Sequence, residues 1–362
     1  MKIGFDAHVL DGRDQGTKTL MLRLIDAVAR RHPRHQVLVY GERPHAELDF
    51  TLPNLQFRPT VRHNVVRYLM HTLPSASRAD RLDTMVFNFV QSPLMRNATV
   101  MIHDILPQTH SRFFPPKFVA QCWALFGMSA LLAKHLFTIS EYSKSEIRSV
   151  YPWTRGKTIS VLHIGASFPK DVYFAGDVGN QPAALPAGTR YILAVGRIEP
   201  RKNIQMAIDA FRAGAPDDVK LVIVGRREPG IAIDTHDDPR IMELTGVSDA
   251  DLITIYRRAA LFLYPSVAEG FGLPLLDAIL FGLPVIASRR TSMQEVGEGG
   301  ATFFDPAEAD ATQWLGNRIA AHFGDDPVAP PSFETRAAKA ALYAWDNAAD
   351  ELVAGITGRA TR

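Results

Sequence analysis

The run Ala260 to Tyr264 (ALFLY), closed by Pro265 and followed by SVAEGFGLPLLDAILFGLP to Pro284, leaves this chain little freedom of architecture. Apolar, β-compatible residues that stop at a proline read as a buried strand, and the apolar run beyond Pro274 reads as a helix. Gly270 and Gly272 remove Cβ atoms from the intervening turn, and Pro274 needs no donor in a first helical turn. The expected unit is strand, glycine turn, helix, and Glu269 falls just past the strand's carboxyl end. Open α/β sheets hold ligands in that crevice, and a helix start attracts anions through its orphan donors and positive dipole end. Gly270, Phe271, Gly272 and Leu273 therefore form a candidate phosphate cradle. Glu269 and Asp277 lie eight positions apart, a little over two helical turns, so both can face one crevice and accept hydrogen bonds from hydroxyls. Phosphate beside hydroxyls suggests a nucleotide-sugar.

A second corner supports this reading. Val195 to Asn203 (VGRIEPRKN) follows a strand-like run, Tyr191 to Val195, and precedes a helical run, Ile204 to Phe211. Arg197, Arg201 and Lys202 thus gather at another strand-to-helix corner, where guanidinium and ammonium groups would neutralise a diphosphate. The alternative is a solvated basic loop.

Together the two stretches resemble the donor-binding half of retaining glycosyltransferase family 4, of the GT-B type. Its pattern has Gly-Arg, a few residues, Lys-Asn, and much later Glu-Gly-Phe-Gly-Leu-Pro followed by a second acid. The resemblance implies that Arg197 and Lys202 hold the donor diphosphate and that Glu269 touches the donor sugar. It places Asp277, one methylene shorter than the family's usual Glu, on the ribose hydroxyls. It further implies metal-free transfer with retention of configuration, through two Rossmann-like domains facing a central cleft.

The length, 362 residues, suits two ordinary domains, and 46% hydrophobic with 22% charged residues is a globular composition. The single cysteine, Cys122, fits a reducing compartment, and MKIGFDAHVL carries an Asp inside too short an apolar run for a signal peptide. A cytoplasmic protein is expected. Its net charge of +2 conceals an asymmetry: residues 1–165 carry 21 Lys and Arg against 12 Asp and Glu, and the remainder 19 against 26. A basic first part suggests an anionic surface or ligand there.

Strands are expected at Lys2 to Asp6, Gln36 to Tyr40, Met85 to Phe89, Thr99 to Ile102, His135 to Ile139 and Thr158 to Leu162, alternating with helices as in a doubly wound sheet. The loop Gly12 to Gly16 before the first helix resembles the family's N-terminal glycine loop, on which Gly16 would approach the donor phosphates. His103 and Asp104 follow a strand, and the family often carries His-Asp there, near donor sugar and acceptor. Hydrogen bonding or proton transfer near neutral pH is the expected chemistry of His103. Phe118 to Ala133 reads as a buried helix, too short for a bilayer. Ser140 begins a capped helix and resembles the family's cleft-facing serines. Pro169 to Gly188 reads as linker.

In the second part, strands Leu221 to Val224 and Arg240 to Leu244 follow, with Gly225 and Arg226 as contacts for the base or cleft. Asp249-Ala250-Asp251 has the form of a metal motif, but Ser248 before it and an apolar-periodic run after it read as helix capping, and no metal is expected. Neither a Walker loop, a zinc pattern nor a strand-preceded G-x-G-x-x-G occurs, which removes the main support for a dehydrogenase. Tyr343-Ala344-Trp345-Asp346 resembles the family's entry to a last helix that returns to the first domain. The expected domains are 1–168 for the acceptor, 169–340 for the donor, and 341–362 crossing back.

The expected activity is transfer of a hexose, mannose from GDP-mannose as the specific guess, to a saccharide or lipid-linked acceptor in surface polysaccharide assembly. His103, Glu269, Arg197 and Lys202 would form the catalytic set. Alternatives are a sugar-nucleotide epimerase, a phosphorylase-like enzyme, or a nucleotide-sugar-binding protein without turnover. No nucleic-acid partner is expected. Val61 to Leu73, with His63, Arg67 and His71 four residues apart beside Val65, Val66, Leu69 and Met70, suits an interfacial helix on the anionic inner membrane face.

Overall fold

The computed structural model describes residues 1–12, 16–61, 64–176, 185 and 188–358. Gln15, His63 and half of the expected linker lie outside that set, and the linker's first part is instead a short helix, Lys170–Phe174, whose Tyr173 is buried. The chain forms two compact units, one of Met1–Gly165 with the segment from Leu342 onward, the other of Ala166–Ala341.

The first unit is built on seven parallel strands: β1 (Lys2–Asp6), β2 (Gln36–Gly41), β3 (Leu55–Pro59), β4 (Thr84–Asn88), β5 (Ala98–Met101), β6 (His135–Thr138) and β7 (Ile159–Val161). Their order is β3-β2-β1-β4-β5-β6-β7, so the winding reverses between β1 and β4. Strand β3 carried no clear sequence signal, because LQFRP mixes polar and charged residues and ends in a proline, which an edge strand tolerates. Alternation along the strands sends side chains to both faces. Leu136 joins a core with Tyr68, Leu73, Cys122, Phe126 and Ala130, whereas its neighbour Phe137 packs against Gly355 of the helix Trp345–Thr357. That last helix is held by Glu351, which accepts from His163 N at 2.8 Å and Nδ1 at 2.6 Å, and by Asp350, which accepts from Arg31 at 3.1 Å. Trp345 lies over Gly165, where a Cβ would come within 2.4 Å of the indole.

Two local expectations change here. The helix Pro116–Leu132 is not buried throughout: Cys122, Phe126 and Ala130 enter the core, while Phe118, Trp123, Leu125, Leu131 and Leu132 are exposed. A single layer of helix on a sheet has only one inward side, so apolar residues all round must leave some outside. Nor is Val61 to Leu73 one helix. Asn64 caps a turn at Val65–Arg67, a π-helical stretch Tyr68–Thr72 follows, and Leu73–Asp80 continues as α-helix. Tyr68 turns inward to donate to Asp6 at 2.9 Å.

The second unit has six parallel strands: β8 (Arg190–Val195), β9 (Val219–Val224), β10 (Ile241–Leu244), β11 (Leu261–Tyr264), β12 (Val285–Ser288) and β13 (Thr302–Phe304). Their order, β10-β9-β8-β11-β12-β13, reverses between β8 and β11. Helices Ile204–Gly214 and Ala311–Phe323 cover one face, in backbone contact at Gly214, where a Cβ would lie 1.9 Å from the Gly316 carbonyl oxygen. Ser248 Oγ accepts the Asp251 N–H at 3.1 Å, so the Asp-Ala-Asp sequence opens a capped helix. The unit begins at Ala166, three residues before the expected boundary, because Ser167 is bonded through backbone and hydroxyl to Asp277 within it.

Candidate functional site

The carboxyl ends of β8 and β11 flank the reversal point of the second sheet, where a doubly wound sheet leaves its crevice. Both motif corners therefore end up side by side. From β8 the chain passes through the turn Pro200–Lys202 to Asn203, whose left-handed φ of 54° a short polar residue tolerates, and starts the helix Ile204–Gly214. From β11 it runs through Glu269 to Gly272, whose φ of 104° requires glycine before the helix Leu273–Phe281.

Glu269 is the hub. Its Oε1 accepts from Lys202 Nζ at 2.6 Å and from the Tyr264 hydroxyl at 2.9 Å, and its Oε2 accepts from Arg201 at 2.7 Å. Lys202 also donates to the Tyr264 hydroxyl at 3.0 Å, and Arg201 to Glu199 at 2.5 Å. Burial alone would push the Glu269 carboxyl up, but the Lys202 and Arg201 charges overcome it and hold it at about 2. The acid is an anion at any working pH and serves as acceptor, not proton donor. Burial pulls the Arg201 guanidinium down, yet Glu269 and Glu199 outweigh it and raise it. The turn itself is fixed from β12: Thr291 Oγ1 accepts the Glu269 N–H at 3.0 Å, and Ser292 donates to the carbonyls of Glu269 and Phe271.

The remaining expected donor-site residues fall in different places. Arg197 stands apart from the Glu269 cluster, half-exposed and paired with Glu228 at 3.0 Å. Asp277 is buried with its carboxylate turned inward: Oδ1 accepts from Tyr173 at 2.5 Å and Ser167 N at 3.2 Å, and Oδ2 from the Ser167 hydroxyl at 2.6 Å. Burial raises its pKa to about 6 against the pull of those donors. A ribose contact through Asp277 would use the remaining acceptor position of Oδ2 or displace one of these donors. Gly225, with φ of 158°, lets the ends of β8 and β9 approach so closely that a Cβ would sit 1.9 Å from the Gly196 carbonyl oxygen. The Arg226 side chain is exposed beside it, and its carbonyl accepts from Ile198 N.

In the first unit, His103 follows β5 and is buried. Its Nε2–H donates to Asn88 Oδ1 at 3.1 Å, and the ring packs on Phe89 at 4.7 Å. Burial holds its pKa down at about 4, so the imidazole is neutral near pH 7. The expected proton transfer near neutral pH gives way to hydrogen bonding. Asp104 Oδ1 accepts the Leu106 N–H at 3.0 Å and opens a short helix; Ser140 Oγ accepts the Ser143 N–H at 3.0 Å and caps the helix Glu141–Val150. Gly16 is exposed at the start of the helix Gly16–Arg31. Four buried side-chain atoms at or just beyond the ends of β1 and β4 have no hydrogen-bond partner in the protein: Asp6 Oδ2, Asn88 Nδ2 and both amide atoms of Gln91. Sequence reading passed over Asn88, Tyr264 and Tyr173, since each reads only as a strand or helix residue until its partner across the fold is known.

Two doubly wound parallel sheets, with a charged corner at the switch point of the second, give the chain the two-domain α/β architecture of the GT-B type. Residues 189–316, which contain both corners, match the model of the family Glycosyl transferases group 1. The chain is similar to O-antigen chain mannosyltransferase B of Escherichia coli, at 29% identity over 295 residues, 74% of this chain and 71% of that one. In fold it is similar to sucrose-phosphate synthase of Thermosynechococcus elongatus, with a TM-score of 0.72 at 17% identity and 97% of both chains covered. It is also similar to Anabaena HepE solved with UDP and glucose, with a TM-score of 0.68 at 18% identity over 99% of this chain and all of that one. Residues 189–316 thus match the group 1 glycosyltransferases, in a chain whose fold is similar to that of GT-B glycosyltransferases.

Proposed function

We propose that this glycosyltransferase moves a hexose, mannose from GDP-mannose, to a lipid-linked saccharide in the assembly of a surface polysaccharide, without a metal and with retention of configuration. The observation that carries the reading is the buried cluster of Lys202, Arg201 and Glu269 at the switch point of the second sheet. Departure of a nucleoside diphosphate concentrates negative charge on its oxygens, and buried cations already in place lower that barrier without reorganisation. Glu269 keeps the two cations from being an uncompensated buried charge while the site is empty, and its carboxylate accepts from sugar hydroxyls once phosphate shares them. Arg197 adds a third cation by leaving Glu228. In the first unit, the unpartnered Asn88 Nδ2 and the Gln91 side-chain amide suit acceptor hydroxyls, with His103 as a neutral neighbour. The mannosyltransferase name of the Escherichia coli relative supports the choice of sugar. The enzyme would work on the cytoplasmic side of the membrane, where nucleotide-sugars are its substrates.

A thermal-shift panel of UDP-, GDP-, dTDP- and ADP-sugars tests the donor, because a ligand of the folded state raises its melting temperature by mass action. GDP-mannose should give the largest rise. Nucleoside diphosphate release that depends on added acceptor separates transfer from epimerisation and from binding without turnover; no release with any donor would overturn the reading.

A further inference from the structure

We propose that His8 is the base that takes the proton from the attacking hydroxyl of the acceptor, with Asp6 and Tyr68 as its positioning residues. This rests on the transferase reading above and adds the residue that manages the proton. Asp6 ends β1 beside the winding reversal of the first sheet. Its Oδ1 serves two neighbours: His8 Nδ1 lies at 2.8 Å, and the Tyr68 hydroxyl donates at 2.9 Å. A carboxylate has no hydrogen to give, so the ring hydrogen sits on Nδ1 and the lone pair is left on Nε2. Among the described residues nothing bonds that Nε2, and the His8 side chain is 25% exposed while its acid is 1% exposed. A buried acid thus holds a ring whose free nitrogen can meet a ligand.

The placement is secured from several elements. Ala7 N–H donates to the Tyr40 carbonyl at 2.8 Å and Asp11 Oδ2 accepts the Glu42 N–H at 3.0 Å, so the short turn His8–Asp11 is tied to the end of β2 on both sides. Tyr68 stands edge-on to the imidazole with ring centroids 6.0 Å apart, and it comes from the π-helical stretch, an irregularity that recurs at functional sites. A purely structural Asp–His pair would close its polar atoms, but Asp6 Oδ2 is buried without a partner. Its negative charge is available to an imidazolium. On the neighbouring strand the register Phe5 to Val86, continued, sets Ala7 beside Asn88. Phe89 after it has a φ of 58°, which a bulky residue adopts only under constraint. His8 and the unpartnered amide atoms of Asn88 and Gln91 therefore border one switch-point crevice. The amides can bond hydroxyls that do not react, whereas the imidazole can also keep a proton.

The step needs no further reactant. The acceptor oxygen bonds to the anomeric carbon of the donor sugar as the bond from that carbon to the diphosphate oxygen breaks, and the electron pair leaves with the diphosphate. The hydroxyl proton passes to His8 Nε2, Asp6 stabilises the imidazolium, and the proton is returned to water.

Initial rates of GDP release from GDP-mannose, with octyl glycosides of mannose, galactose, glucose and N-acetylglucosamine as acceptors, test this on the full chain. His8→Ala should cut acceptor-dependent release about a hundredfold while the melting-temperature rise with GDP-mannose is unchanged, and added imidazole should restore about tenfold of the loss. His8→Gln keeps an acceptor oxygen but cannot hold the proton, so it should be as slow as His8→Ala. Asp6→Asn, whose amide gives its own hydrogen to Nδ1 and moves the ring hydrogen to Nε2, should be slow as well and without imidazole rescue. Wild-type rates in His8→Ala overturn the proposal, as does a loss that imidazole leaves unchanged. Restoration by His8→Gln reduces His8 to a hydrogen-bond partner and overturns it too. A lost GDP-mannose response in His8→Ala assigns the residue to the fold instead, and wild-type rates in Asp6→Asn remove Asp6 as its positioning residue. Wild-type protein that releases no GDP with any of these glycosides overturns the transferase reading itself; wild-type transfer with unaffected His8 variants removes only the base.

Discussion

The strand-end corners of the two units are built alike and charged differently. Each lies at the carboxyl ends of parallel strands beside a reversal of winding, yet the second holds a carboxylate between a lysine and an arginine, and the first holds a neutral histidine against an asparagine. Both sets are buried. The second corner tolerates burial because every charge has an opposite within hydrogen-bond reach, whereas the first sets a neutral histidine and unpartnered amide atoms near a single buried carboxyl, Asp6, held by Tyr68 and His8. A shared scaffold thus suits one corner to a diphosphate and the other to hydroxyls, and the contrast predicts how each fails.

Lys202→Ala should have the largest effect, since it leaves the buried Glu269 carboxylate with Arg201 as its one cation. About 3–5 kcal/mol of stability is expected to disappear in denaturant unfolding, with a loss of turnover. Adding Glu269→Gln should return much of the stability and none of the activity. If the double variant is no more stable than Lys202→Ala alone, the two side chains are not coupled.

Asp277→Asn comes next. A carboxyl held near 6 in the fold and near its ordinary value when unfolded binds its proton more tightly in the native state. Its contribution is therefore fully present below about pH 4 and is lost as pH rises through about 6. Over that window the wild type should lose roughly 3 kcal/mol relative to the Asn variant. A parallel pH dependence in the two proteins would show that Asp277 is not buried as described. A tenfold loss of nucleotide affinity in the variant, with the pH difference absent, would assign the carboxylate to the ribose.

His103→Ala should lower the rate about tenfold, ~1.4 kcal/mol of barrier. Because the ring is neutral above about 4, the wild-type rate should show no His103-dependent step between pH 6 and 8. A limb near pH 6.5 that vanishes in the variant would restore proton transfer to this residue.

Arg197→Ala should have the smallest effect on stability, about 0–1 kcal/mol, as expected for a half-exposed pair with Glu228. Its turnover carries the information. A drop comparable to that of Arg201→Ala means that the guanidinium leaves Glu228 for the donor; wild-type turnover would leave Arg201 and Lys202 as the cations of the site.

Much of this was legible in the chain itself. Strands made of unbroken apolar runs, such as Leu261–Tyr264 and Arg190–Val195 beyond its first residue, announce themselves because both faces of a parallel sheet are covered. The glycines and proline around Glu269 likewise prescribe the turn locally. Short or mixed strands were silent: Thr302–Phe304 has three residues, and Leu55–Pro59 pairs only along one edge.

What tertiary structure alone decided is partnership. Sequence placed Arg197, Arg201 and Lys202 at one corner and Glu269 at another, but which cations reach the acid depends on two strands becoming neighbours across some seventy residues of chain. It assigned Asp277 a hydroxyl-binding role without its partners Ser167 and Tyr173, since residues more than a hundred positions earlier reach its oxygens. It read Pro116–Leu132 as buried because hydropathy counts apolar residues and does not count the layers available to cover them. Local periodicity fixes what a segment becomes; the direction in which each side chain finds a partner is set only when distant segments pack.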